Sequence, residues 1–212
     1  MAAAQDEPEY RLEIGGGIGL VAYQGDMNGS ILKNQQPMLS IIGKYRFSPR
    51  TALGANISYG QLKGDAKGAA TYYPATGVPD GYSFKSKLAD VGVRYEYNFW
   101  PYGTGNEYRG ARRLTPYIYI GVGVTIAKPQ QTEVAMNMPL GCGVKYKVAD
   151  RLNAAVEWTM HFTGSDLLDG TADPYGIKSS GLFKNTDCYS HLRLSLSYDL
   201  WAKCKTCHND RD

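Results

Sequence analysis

The sequence predicts an all-β fold, an eight-stranded antiparallel transmembrane β-barrel with a filled lumen. Three observations lead there. Apolar and polar residues alternate with period 2 in eight successive runs of the 212-residue chain. The connections between runs alternate between short and long, as in barrels with short turns at one rim and long loops at the other. No apolar stretch approaches the ~20 residues of a spanning helix, whereas each run suits the ~9–11 tilted residues with which a strand crosses a bilayer.

The first run, 10–23, sets Tyr10, Leu12, Ile14, Ile18 and Leu20 against Arg11, Glu13 and glycines. The second, 38–48, sets Leu39, Ile41, Tyr45 and Phe47 against Ser40, Lys44 and Arg46. The third, 51–62, sets Leu53, Ala55, Ile57 and Tyr59 against Gly54, Asn56 and Ser58. The fourth, 87–100, sets Ala89, Val91, Val93, Tyr95, Tyr97 and Phe99 against Asp90, Gly92, Arg94, Glu96 and Asn98. The fifth, 115–127, sets Ile118, Ile120, Val122, Val124 and Ile126 against Tyr119, two glycines and Thr125. The sixth, 138–148, sets Leu140, Cys142, Val144, Tyr146 and Val148 against Gly141, Gly143, Lys145 and Lys147. The seventh, 152–163, sets Leu152, Ala154, Val156, Trp158, Met160 and Phe162 against Asn153, Glu157, Thr159 and His161. The eighth, 188–200, sets Leu192, Leu194, Leu196, Tyr198 and Leu200 against Arg193, Ser195, Ser197 and Asp199.

Ser48-Pro49-Arg50 and Ala149-Asp150-Arg151 are the short turns. Segments 63–86 and 164–187 are long and rich in Gly, Asp, Ser and Pro, and 101–114 is a longer connection on the short-turn side. The organisation expected is a segment 1–9, a barrel 10–200 and a tail 201–212, with both termini and the short turns in the periplasm. Met1-Ala-Ala-Ala-Gln-Asp-Glu has neither a charged nor an apolar leader region; it reads as the tail of a signal peptide or as an ordinary frayed start.

Parity alone does not say which face is inside. A soluble lipocalin-type barrel would turn the apolar set inward and bind an apolar ligand. The aromatic residues favour a membrane. Tyr10, Tyr45, Phe47, Tyr95, Tyr97, Phe99, Tyr117, Tyr198 and Trp201 gather toward one rim, and Tyr59, Trp158 and Phe162 toward the other, as an interfacial girdle. The polar face then fills the lumen: Arg11, Lys44, Arg46, Arg94, Lys145, Lys147 and Arg193 against Glu13, Asp90, Glu96, Glu157 and Asp199. Eight strands leave room for side chains only, so transport through the lumen is not expected. Glycine, at 25 residues, suits so narrow an interior, and a mean hydropathy of −0.37 is compatible with a barrel that hides its apolar surface in alternation.

With 23 Lys and Arg against 20 Asp and Glu, the charge is too balanced for a nucleic-acid partner. Cys204-Lys-Thr-Cys207-His208 fits the C-x-x-C-H pattern of haem attachment, but it lies at the chain end with no helical domain to bury a haem. A disulfide, free thiols or a link to a partner are the competing readings, and no cofactor is expected. Cys142 and Cys188 are expected near the long-loop rim, on strands too far apart to bond. His161 and Glu157 fall on the polar face, which suits an interior hydrogen-bonded His better than the lipid-facing group of an acyl hydrolase. The run 15–19 is glycine-rich, but no helix follows, so it reads as packing room in the wall. Arg109, Arg112 and Arg113, with Lys203, Cys204, Lys205 and Cys207 in the tail, form a candidate docking surface on the periplasmic rim.

The ordered series of runs resembles a known family. It is carried by Glu13-Ile-Gly-Gly-Gly-Ile-Gly19 with Tyr23-Gln-Gly-Asp-Met-Asn28, Lys44-Tyr-Arg-Phe-Ser-Pro-Arg50, Ala55–Asp65, Leu88–Phe99 and Leu114–Gly123. Together these look like the PorG family of the Bacteroidetes, small outer-membrane barrels of the type IX secretion machinery. The resemblance implies a non-enzymatic role, linking the periplasmic ring of the lipoprotein PorK and its partner PorN to outer-membrane lipid. It brings no catalytic residues. The alternative is a lipid- or ligand-handling barrel, either a soluble binder or an acyl hydrolase.

Overall fold

The computed structural model describes residues 8–24, 34–65, 83–105, 110–128, 132–164 and 188–202. Eight antiparallel strands follow one another: β1 (Tyr10–Gln24), β2 (Gln36–Arg46), β3 (Thr51–Asp65), β4 (Ser83–Asn98), β5 (Leu114–Lys128), β6 (Glu133–Lys147), β7 (Leu152–Thr163) and β8 (Cys188–Ala202). Each pairs with the next, and β8 returns to β1, so the barrel is closed. No described residue is helical.

The strands are strongly tilted. A ladder row can be followed from Leu12 through Tyr45, Leu53, Tyr95, Ile120, Leu140, Met160 and Ser190; it re-enters β1 at Ala22, ten residues further along. Rows therefore climb toward the long-loop rim from β1 to β8. Such a stagger is what closing eight strands demands.

The wall is inverted relative to a water-soluble barrel. Leu194, Ile120 and Leu39 face outward at 52%, 50% and 63% exposure, while Arg193, Glu157 and Lys147 are fully enclosed. An aqueous exterior would penalise that much contiguous apolar area, whereas hydrocarbon would not. Tyr45, Phe47, Tyr95, Tyr97, Phe99, Tyr198 and Trp201 lie on this outer face toward the short-turn rim.

Some placements differ from the sequence reading. Tyr117 shares the inward parity of Tyr119 and is buried in the lumen, so it is not part of the girdle. Trp158 sits mid-strand rather than at the far rim. Arg11 has inward parity but lies at the strand end, where it is exposed. Cys142 faces outward from the body of β6, not from the long-loop rim. Several strands also run further toward the long loops: β4 begins at Ser83, β6 at Glu133, and β3 ends at Asp65. There the parity persists while its chemistry reverses. Val21, Tyr23, Leu62, Phe84, Leu88 and Ala127 point inward as an apolar cluster. Lys63, Lys85, Lys87 and Lys128 point outward and are exposed.

The glycines of β1 let β8 approach. A Cβ at Gly17 would stand 2.8 Å from the Leu194 carbonyl oxygen and 3.0 Å from Arg193 Cγ. The run 15–19 is packing room in the wall, as expected.

Candidate functional site: a closed lumen and its short-turn rim

The lumen is filled in layers. Nearest the short turns, Glu13 and Asp199 are direct cross-strand partners on β1 and β8. Like charges so placed repel, and Arg46 lies between them, ion-paired to Glu13 and 3.0 Å from Asp199. Asp199 also accepts from Lys147 Nζ at 2.5 Å and from Asn153 Nδ2 at 2.8 Å. Glu96 is bridged by Lys44, at 3.1 Å, and by Lys145.

At mid-depth Glu157 is the hub. It accepts from Arg94 Nη1 and Nη2 at 2.8 and 3.1 Å, from the Tyr117 hydroxyl at 2.8 Å and from the Tyr119 hydroxyl at 3.1 Å. Arg193 pairs with the same carboxylate. Arg94 also lies over the Tyr119 ring, 4.2 Å from its centroid. The next layer gathers on Asp90, which accepts from Asn137 at 2.6 Å, Tyr189 at 3.0 Å and Asn56 at 3.2 Å. His161 stacks on Tyr189 and exchanges a hydrogen bond with its hydroxyl at 3.0 Å. It is an interior, hydrogen-bonded histidine away from the lipid face. Above it lies the apolar cluster.

Among the described residues the buried charges are six cations (Lys44, Arg46, Arg94, Lys145, Lys147, Arg193) and five carboxylates (Glu13, Asp90, Glu96, Glu157, Asp199). Near-balance is what allows so many ions in so small a space, since an unpaired buried charge costs several kcal/mol.

The short-turn mouth is covered by the β4–β5 connection. Tyr102 folds back under the rim and is 3% exposed. Its hydroxyl donates to Asn153 Oδ1 at 2.7 Å, and Arg46, Lys145 and Lys147 lie within 5.5 Å of its ring centre. Burial pushes its phenol well above the usual value, so it stays a neutral donor. The backbone holds it there: Tyr102 N–H donates to Pro49 O at 3.0 Å, and Arg112 N–H donates to Pro101 O at 2.7 Å. Glu9 clamps the same connection, accepting from the Thr104 N–H at 2.9 Å and its hydroxyl at 2.7 Å.

Of the residues singled out on this rim, Arg112 and Arg113 are described, and both are exposed. Arg112 lies over the Trp100 ring at 4.9 Å, and the Arg113 carbonyl accepts from Lys147 N–H at 2.8 Å. Arg109, Lys203, Cys204, Lys205 and Cys207 lie outside the described residues, as does the C-x-x-C-H motif. The covering role of Tyr102 and the clamp at Glu9 escaped the sequence reading. The signal available was the excess length of 101–114 over its two three-residue companions.

Solved structures share this architecture. Neisserial surface protein A matches at 14% identity over 89% of this chain and 97% of that one, with a TM-score of 0.53. Ail, the attachment invasion locus protein of Yersinia pestis, solved with the heparin analogue sucrose octasulfate, matches at 12% identity over 91% and 100%, with a TM-score of 0.52. The outer membrane protein OprG from Pseudomonas aeruginosa matches at 13% identity over 93% and 99%, with a TM-score of 0.54. At such identities the likeness is one of fold: a closed eight-stranded barrel of the outer-membrane type. No curated protein matches the sequence. One family model spans residues 5–209, nearly the whole chain, and the chain therefore belongs to that family, the domain of unknown function DUF6089.

Proposed function

We propose that the chain is a non-enzymatic outer-membrane anchor whose short-turn rim faces the periplasm and holds a component of the type IX secretion machinery. The observation that carries this reading is the closed lumen. Glu157 and its two arginines block it at mid-depth, and Tyr102 covers its mouth. A barrel so filled has no through-path for a solute, which leaves its rims and outer wall as the surfaces available for function. The exposed Arg112 and Arg113 make the short-turn rim basic, and the resemblance to the PorG family supplies the candidate partners, the ring proteins PorK and PorN. His161 lies in the lumen, which argues against acyl hydrolysis at the lipid face.

The test is photo-crosslinking from positions 110–113 in intact cells, with the products identified by mass spectrometry. PorK or PorN is expected in the adduct. Replacing Arg109, Arg112 and Arg113 together by Ser should weaken co-purification of the ring while preserving the heat-modifiable mobility of a folded barrel. Single replacements should do little, because each rim charge mainly steers association. Unchanged ring recovery with the triple variant, and with residues 203–212 deleted, would overturn the docking site.

A further inference from the structure

We propose that Lys63, Lys85, Lys87 and Lys128 form a site for the phosphate-bearing headgroup of an anionic membrane lipid, whose acyl chains lie in the adjoining outer groove. The site depends on the barrel standing in a bilayer but not on the docking proposed at the opposite rim.

The four lysines come from three adjacent strands and meet in register. Lys63 is the direct cross-strand partner of Lys85, and Lys87 of Lys128. Lys85 and Lys87 are two residues apart on one face of β4. All four point outward and are exposed. They also come from one height. Rows climb from β3 to β5, while the row of Lys87 and Lys128 lies one pleat below that of Lys63 and Lys85. The climb and the step offset each other to within about 5 Å, given ~4.8 Å between strands and ~3.3 Å per residue.

Like charges placed directly opposite in a ladder destabilise it, and here two such pairs stand side by side. Every buried lumen cation has a carboxylate partner, yet no ion pair among the described residues engages any of these four. Glu133, the first residue of neighbouring β6, has the opposite parity. Asp65, two residues beyond Lys63 on β3, shares its parity, but one carboxylate cannot match four ammonium groups, and an external polyanion is the natural counter-charge.

Their position says which polyanion. The lysines project sideways from the wall, immediately beyond its apolar band: one pleat below Lys87 and Lys128 is the row of Tyr59, Ala89 and Ile126. That is headgroup level for a lipid resting against the barrel. Beside them an outer groove of about 530 Å³ is lined by Ile18, Leu20, Pro37, Leu39, Tyr59 and Gln61. Gln61 is the ladder partner of Lys87, so the β3 edge of the groove borders the lysines, and from there the groove extends across the apolar wall of β2 and β1. Charge above and a furrow below fit one amphiphile.

The experiment uses the full chain in nanodiscs of mixed phosphatidylcholine and phosphatidylglycerol, with spin-labelled versions of each lipid reporting association by electron paramagnetic resonance. Wild-type protein should prefer phosphatidylglycerol. Each lysine near an anionic surface is worth about a fivefold change in association. The variant K85Q/K87Q should therefore lose at least fivefold of the preference. R112S/R113S, at the other rim, should keep it, and L39W should weaken it by filling the groove. Heat-modifiable mobility checks that each variant is folded. An undiminished preference in K85Q/K87Q would overturn the site. So would loss in K85Q/K87Q of binding to a soluble sulfated polysaccharide with lipid preference intact, since the lysines would then serve a polymer in solution. Ring co-purification, read separately, reports only on the other rim.

Discussion

Glu157 on β7 takes both terminal nitrogens of Arg94, from β4 across the barrel, at 2.8 and 3.1 Å. This fork closes the lumen at mid-depth, and Arg193 shares the same carboxylate. Glu157→Gln would keep the shape and remove the charge, leaving two guanidinium groups buried with no anion. Breaking such a pair from one side costs about 3–5 kcal/mol. A clear drop in the urea midpoint is expected in folded-fraction assays by heat-modifiable mobility. An unchanged midpoint would mean that water already reaches this layer.

The outer wall should show a depth profile. Leu194 lies mid-strand on β8 with its side chain outward, whereas Gln61 lies at the edge of the apolar band. Arginine on a lipid face costs about 2–4 kcal/mol at the bilayer midplane and about 0–1 near the interface. Leu194→Arg should impair assembly into vesicles much more than Gln61→Arg. Equal yields would contradict the orientation of the wall.

Planar bilayers test the filling directly. Purified protein should give no large, steady conductance. Tyr102→Ala should uncover the short-turn mouth and still give none, because the Glu157 layer remains beyond it. A stable open state in that variant would mean that the tyrosine alone was the barrier.

Two glycines on neighbouring strands should behave in opposite ways. A Cβ at Gly17 meets the Leu194 carbonyl and Arg193, whereas one at Gly43 meets nothing within 4 Å. Gly17→Val should lower the unfolding midpoint by forcing β1 from β8. Gly43→Ala should leave it unchanged or raise it slightly, since the glycine loses its extra freedom on folding. The two midpoints, measured in the same detergent, decide the matter.

Eight strands were legible because a wall between lipid and a polar interior demands strict alternation, and runs such as Leu192–Leu200 carry little else. What escaped the sequence lies where that demand changes. Ser83–Lys87 alternates as faithfully as the rest, but with Phe84 inside and Lys85 outside. Read with the sign of the membrane band, it resembles a polar loop, which is why β4 begins before its expected start. Tyr117 was misplaced for a related reason: an aromatic ring suits either the interfacial belt or a filled lumen, and only its parity with Tyr119 separates the two. The candidate rim was legible in composition, as a run of arginines. The inward fold of Tyr102 was not, because it depends on Asn153 and Lys147, which approach only when the barrel closes.

Asp199 carries a consequence for the order of assembly. It arrives on the last strand, yet it serves Arg46 from β2 and Lys147 from β6. Among the described residues Lys147 meets no other carboxylate. A seven-stranded sheet would thus leave this ammonium at the short-turn rim without its carboxylate, and would carry two open edges as well. Such an unfinished sheet has no resting place in the bilayer. Crossing the membrane and zipping the final seam become one event, in which β8 brings Lys147 the carboxylate it pairs with and closes both open edges.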